Sequence, residues 1–395
     1  MHDIDKVAKK LQPYYSKFNV ANRLLFTGHS HQAWPNVAFE GVNEYLELVA
    51  EEVDLKWEMA FEKTEILREY LRNYYDDPDG LYCREQNTHV LLVSWLSSLD
   101  LKNKPKIVTT DGEFHSLYRQ LRRLEEEGIT VLRLSHHPSD RLYDEIKKNL
   151  DHETSAVMLS RVYFESARIN TKLKEIAQLC REYDVPLMID DYHGTNVVPL
   201  SVRESGLEDC YLMIGGYKYL QWGEANCFLR FPEDCRFRPV VTGWFSSFQT
   251  LDHPRSYEPV SFDDGDQRFA TGTYDPVSQF RAAAVVRFFE EQELTPELLS
   301  TQYRAQVSYL RDLFSSLDID KNLVRLTHND PIGQTGGFLS LTSDHARNLR
   351  RMLLDLGVFT DARDRILRIG PAPYTTKSQC KQVIEALKAC LKKIE

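Results

Sequence analysis

The chain has 395 residues, 42% hydrophobic and 27% charged, with a formal net charge of −10. That composition suits a globular protein with a large core and excludes a disordered chain, and its acidity argues against nucleic acid or an anionic membrane as partner. No apolar run approaches the ~20 residues that span a bilayer, and Met1–Lys6 holds no apolar signal core, so a cytoplasmic protein without a membrane partner is expected.

In chain order, the first 50 residues do not make a domain alone and are expected to pack on the C-terminal unit. Glu85-Gln86-Asn87-Thr88-His89 then precedes an almost wholly apolar helix, Val90–Leu96. Asn87 and Thr88 there suit a phosphate seat, with free N–H groups, a positive dipole end and a hydroxyl. They suit an ordinary N-cap as well. A strand, Lys106–Thr110, runs into Gly112-Glu113-Phe114-His115-Ser116, which places the Phe114 ring at a strand end. It reads equally as a ring stacked on a flat ligand and as a core aromatic.

Strands over Thr130–Leu134, Ser155–Ser160, Val185–Asp190, Cys210–Ile214 and Asn226–Phe231 follow. Helices over Ser116–Glu127, Pro138–Asn149 and Thr171–Tyr183 separate the earlier ones. The alternation predicts an α/β fold with a mostly parallel sheet, its ligand at the carboxyl ends of the strands. After the turn-rich stretch Gly243–Gly272 come helices Ser278–Gln292 and Pro296–Ser316. Last comes an α+β unit: Asn322–Leu326, Gly337–Leu341, Asp344–Leu356, Ile366–Ile369 and Thr376–Ile394. Seven scattered cysteines, none in a Cys-x-x-Cys pair, read as reduced buried thiols and not as a metal site.

Two strand ends carry the chemistry. Cys210–Ile214 ends in Gly215-Gly216-Tyr217-Lys218-Tyr219, where an ammonium is hard to solvate, so its pKa falls and its amine becomes nucleophilic. Val185–Asp190 ends in Asp190-Asp191-Tyr192-His193; successive strand side chains alternate, so only one of the two aspartates faces a ligand. A lysine and a carboxylate so placed are what a pyridoxal phosphate (PLP) enzyme needs: the lysine for the Schiff base, the carboxylate for the pyridine nitrogen. Arg368, inside the apolar strand Ile366–Ile369, needs an anionic partner. A substrate carboxylate fits, and so does a structural acid.

With these motifs the chain resembles the fold-type-I PLP enzymes of the class V aminotransferase superfamily, and kynureninase most, from about Phe26 to Lys392. The resemblance rests on Asp190 and His193 for Asp-x-x-His, and on Tyr217-Lys218-Tyr219-Leu220 for Tyr-Lys-Tyr-Leu. It rests further on Phe114-His115-Ser116 for Phe-Pro-Ser, Gly243-Trp244-Phe245 for Gly-Trp-Trp, Arg268–Thr273 for Arg-Phe-x-x-Gly-Thr, and Arg368–Pro373 for Arg-x-Ala-Pro-x-Pro.

The resemblance implies a seven-stranded, mostly parallel sheet in a PLP-binding domain over 51–275, and a smaller α+β domain over 276–395. It implies an α-amino acid substrate, and a homodimer whose active site lies at the subunit interface. Lys218 and Asp190 are the implied catalytic residues. Asn87, Thr88, Phe114, His193, Tyr217, Trp244 and Thr273 join them around the cofactor, Thr273 on the phosphate of the neighbouring subunit. Arg368 is implied to bind the substrate carboxylate.

Gly28-His29-Ser30-His31-Gln32 replaces the family's Gly-Asn-Ser-Leu-Gly, and Leu117 an aspartate. His29, Ser30 and His31 are therefore expected at the substrate side chain, favouring a polar or anionic group there. The expected reaction is cleavage of a β-substituent, as in kynureninase. Transamination, racemisation (or epimerisation) and another lyase reaction are the alternatives, with a non-catalytic PLP-fold scaffold behind them. Cysteine desulfurase is disfavoured, since Arg368–Pro373 holds no cysteine and Cys380 falls in a predicted helix.

Overall fold

The structure, a computed structural model, describes residues 2–250, 254 and 258–394. Of the turn-rich stretch 243–272, residues 251–253 and 255–257 lie outside the described residues. Helix α1 (Ile4–Leu11), strand β1 (Leu24–Leu25) and helices α2 (Val37–Glu52) and α3 (Lys56–Tyr74) lead into the large sheet. That sheet holds β2 (Leu81–Glu85), β3 (Lys106–Thr110), β4 (Thr130–Leu134), β5 (Thr154–Ser160), β6 (Leu187–Asp190), β7 (Tyr211–Gly215) and β8 (Cys227–Phe231). Their spatial order is β2-β8-β7-β6-β5-β3-β4. β8 is antiparallel to both neighbours, and the other pairs are parallel. Helices α4 (Thr88–Leu96), α5 (His115–Glu126), α6 (Ser139–Asn149) and α7 (Leu173–Glu182) connect the strands.

The chain continues through α8 (Val277–Glu291) and α9 (Pro296–Ser315) into β9 (Arg325–Leu326), β10 (Leu339–Thr342), α10 (Ala346–Asp355), β11 (Val358–Phe359), β12 (Asp361–Arg363), β13 (Ile366–Ile369) and α11 (Lys377–Leu391). An antiparallel sheet, ordered β12-β13-β10-β9, carries the C-terminal unit. β1 pairs in parallel with β11, and Phe26 joins the core under the small sheet. Leu67 and Leu71 of α3 share a core with Ala282 and Val285 of α8.

The strand period fixes which side chains reach the site. β5 is buried along its whole length, as expected of a parallel strand covered on both faces. Its Val157 and Leu159 enter one core with Leu187, Ile189, Leu212 and Ile214. Its Ala156 and Met158 enter the other with Met188 and Met213. Met188 and Asp190 lie two apart on one face, so the second core leads directly to Asp190 at the carboxyl end of β6.

Most expected elements shift by a residue or two. The strand expected at Val185 begins at Leu187, because Pro186 has no N–H to give a ladder. The expected strand Asn322–Leu326 shortens to Arg325–Leu326. β2, β11, β12, α2 and α3 were not foreseen.

Candidate active site

Lys218 follows β7 through Gly215 and Gly216. Both positions need glycine: a Cβ on Gly215 would stand 1.7 Å from the Tyr192 ring, and one on Gly216 2.6 Å from the Asn226 carbonyl oxygen. The turn lays a buried Lys218 among aromatic faces, its Nζ 4.8 Å from the Tyr192 ring centroid, 5.3 Å from Phe114 and 5.9 Å from Tyr217. Nζ also lies 2.7 Å from His193 Nε2. Burial pushes the Lys218 ammonium down to about 7 against the upward pull of Asp190; Arg368 and Arg363 add to the depression. Burial likewise holds the His193 imidazole neutral, with Lys218 and Arg368 contributing.

Asp190 and Asp191 part company as alternation requires. Asp191 is fully buried in an ion pair, its Oδ1 2.5 Å from Arg161 Nε and its Oδ2 2.9 Å from Nη2. Tyr75 donates to the same Oδ2 at 2.7 Å. Asp191 is therefore a structural acid. Asp190 accepts from the Tyr192 N–H at 2.9 Å and lines a cavity of about 260 Å³. Burial pushes its carboxyl up, and the Tyr192 N–H and Lys218 pull it back.

The same cavity brings Asn87, Thr88, Phe114, His193, Tyr217 and Lys218 together with Asp190. Asn87 is the N-cap of α4, its Oδ1 accepting from the Val90 N–H at 3.1 Å. Its side chain thus serves the helix, while the first-turn amides of α4 lack intrahelical partners. Thr88 Oγ1 donates to Tyr192 Oη at 2.9 Å. Phe114 meets Phe164 edge-to-face at 5.3 Å.

Other expected residues stand elsewhere. Trp244 is 46% exposed, against Phe245 and Phe248, and Thr273 is exposed; neither lines the cavity of its own chain. His29 is fully buried, 4.7 Å from the Phe338 ring and 3.7 Å from Asp361 Oδ2. Ser30 Oγ donates to the Thr27 carbonyl at 3.1 Å within its own turn. His31 stacks on Tyr217 at 5.1 Å and sits 3.9 Å from Glu224 Oε1 at the cavity mouth. Arg368 has a structural acid, Asp361.

Sequence reasoning left Tyr192, Glu224, Cys227 and Asp361 without roles. Tyr192 stood inside the Asp190–His193 text. Its hydroxyl joins Thr88 to Cys227 Sγ, 3.1 Å away. Nothing in the local sequence signalled Asp361, whose place opposite Arg368 comes from the β12–β13 register.

The site chemistry fits PLP. A buried lysine suits the aldehyde, a carboxylate the pyridine nitrogen, and a helix N-terminus the phosphate.

Comparison with known proteins agrees. Residues 137–198, from α6 through β6 and the Asp190–His193 turn, match the profile of the family O-phosphoseryl-tRNA(Sec) selenium transferase, SepSecS. The chain is 24% identical over 346 residues to an uncharacterized aminotransferase, YcbU, of Bacillus subtilis, covering 84% of this chain and 85% of that one. A mitochondrial cysteine desulfurase of Candida albicans is 30% identical over 145 residues, 36% of this chain and 29% of that protein. The cysteine desulfurase CsdA of Escherichia coli superposes with a TM-score of 0.80 at 14% identity, over 98% of each chain. A C-DES mutant with glycine covalently linked to its PLP cofactor gives 0.80 at 18% identity, over 95% of this chain and 98% of that one. The fold is thus that of fold-type-I PLP-dependent enzymes, and the likenesses support a place in the class V aminotransferase and cysteine desulfurase-like superfamily.

Proposed function

We propose that the protein is a PLP-dependent enzyme that acts on an α-amino acid and cleaves its β-substituent. The observation that carries this reading is one cavity holding a buried, proton-poor Lys218 and the Asp190 carboxylate at adjacent strand ends, with the first turn of α4 on its wall. Bound PLP would supply an aldehyde for the substrate amine and a ring that accepts electrons.

Lys218 would hold the cofactor covalently and, once released, take the Cα proton. Its low proton affinity keeps the amine ready at neutral pH. His193 Nε2, 2.7 Å away, is within reach of that proton. Asp190 would keep a proton on the pyridine nitrogen, and a cationic partner offsets the burial of its carboxyl. Phe114 would cover the ring; Tyr217, Thr88 and the amides of α4 would hold the phosphate.

The cystine C–S lyase C-DES, solved with its product cysteine persulfide, shares the fold at a TM-score of 0.77 and 17% identity. That likeness supports cleavage at a β-carbon, at carbon–carbon as in kynureninase or at carbon–sulfur. All seven cysteines are buried. Cys380 lies in α11 at 0% exposure, and Cys227, on the cavity wall, is in contact with the Tyr192 hydroxyl. That placement favours release of the β-substituent over its transfer to a protein thiol. Transamination is the second reading, favoured by YcbU, whose similarity spans most of both chains.

The active unit would be a homodimer in which exposed Trp244 and Thr273 reach the neighbouring site. Purified protein should show the visible absorption of bound PLP, and borohydride should fix the cofactor covalently to wild type and not to Lys218→Ala. Cofactor fixed to the variant chain would refute the assignment. Mass spectrometry of products from an amino-acid panel then separates cleavage from transamination: pyruvate or alanine with a released β-substituent, against a keto acid keeping its full skeleton.

A further inference from the structure

Tyr192 touches three of the groups that bound the candidate cavity, yet no step of the proposed reaction uses it. Its N–H donates to Asp190 Oδ1 at 2.9 Å. Its ring centroid stands 4.8 Å from Lys218 Nζ. Its hydroxyl accepts from Thr88 Oγ1 at 2.9 Å. The residue lines the cavity and is 8% exposed. Its ring packs over Gly215 so closely that a Cβ there would stand 1.7 Å from it. The hydroxyl therefore has one fixed place, at the α4 end of the cavity. Thr88 opens α4 and His89 follows it on the cavity wall, so the free amides of that first turn stand at the same end.

The protons decide what this end offers an anion. A hydroxyl carries a single proton. Thr88 directs its own at Tyr192 Oη, which leaves the tyrosine proton as the spare donor. Its neighbours are the Cys227 sulfur, 3.1 Å away and a weak partner in either direction, and Tyr217, whose ring tilts against the Tyr192 ring at 5.4 Å. Neither is an anion. A phosphate oxygen is a far stronger acceptor, and the bond received from Thr88 polarises the phenol into a better donor.

We propose that Tyr192 is a further cofactor-binding residue: its hydroxyl, presented by Thr88, donates to the phosphate of PLP and makes the site prefer the phosphorylated aldehyde over pyridoxal. The inference rests on the PLP reading above. Turning the phenol proton to phosphate breaks no strong bond within the protein, and the ring is already locked by Gly215. The seat is thus formed before the cofactor arrives.

The test compares PLP with pyridoxal, which lacks the phosphate, in titrations of cofactor-free protein read by the visible band. Each affinity is taken as the ratio of Tyr192→Phe to wild type, so the solution chemistry of either aldehyde cancels. Tyr192→Phe should lose about tenfold toward PLP, the worth of one hydrogen bond to a charged group, and keep its pyridoxal affinity within about twofold. A merely structural tyrosine would weaken both aldehydes alike. Losses that match within about threefold, or a PLP affinity that does not fall, overturn the proposal. Should the variant fail to fold, a crystal structure of PLP-loaded wild type decides. Tyr192 Oη within about 3.0 Å of a phosphate oxygen upholds the proposal, and a longer separation overturns it. Cofactor fixed by borohydride to Lys218→Ala overturns the cofactor reading instead, and this inference with it.

Discussion

Lys218 bears a cost that a surface lysine does not. Its ordinary value is 10.5, and burial brings it to about 7. Between those values the unfolded chain binds the extra proton, so stability rises as pH climbs through the window. Below about 7 the cost of burying the charge is complete. In cofactor-free protein, Lys218→Met should therefore melt higher than wild type at neutral pH, with the gap closing toward pH 10.5. Thermal melts across that range check it, and equal melting at neutral pH would contradict it. The meeting of Lys218 and Asp190 at one cavity was legible because each closes or closely follows an apolar strand of the same sheet. The partner of Arg368 was not: choosing between Asp361 and a substrate carboxylate requires the β12–β13 register, which no local pattern prints.

At the scale of elements, the sheet aims the site through glycine. Gly215 closes β7 against the Tyr192 ring. Gly215→Ala should cost about 3 kcal/mol through overpacking and shift Tyr192 off Thr88. A denaturant midpoint measures this, and a loss below about 0.5 kcal/mol would fall outside what overpacking costs. The strand-helix alternation was readable because fully buried parallel strands are short apolar runs bounded by turns. Two-residue strands such as β11 have no period to read. α2 escaped notice for another reason: Phe39 and Leu46 stand exposed and blur the face that Gly41 and Tyr45 turn to Phe280 of α8.

For the whole molecule, apolar side chains stand exposed in and beside the turn-rich stretch: Val240 at 83%, Val260 at 61%, Trp244 at 46% and Phe248 at 41%. Trp244 and Phe248 lie together, ring centroids 5.5 Å apart, and exposed apolar groups side by side mark association surfaces. The proposed dimer would cover this pair and bring Trp244 and Thr273 to the neighbour's cavity. Light scattering should give twice the 46.0 kDa chain mass, and Trp244→Ala should weaken PLP binding by about tenfold, one lost contact of the hydrogen-bonding kind. A monomer with full PLP affinity would rule the arrangement out. The motif Arg268–Thr273 hinted at this assembly, but a single chain cannot complete it.

Lys218 is the residue proposed to carry the cofactor. Borohydride reduction of the PLP-loaded protein, followed by peptide mapping in a mass spectrometer, tests that directly. The pyridoxyl phosphate mass should fall on the peptide containing Lys218 and on no other. A label on a different lysine, or none, would contradict it.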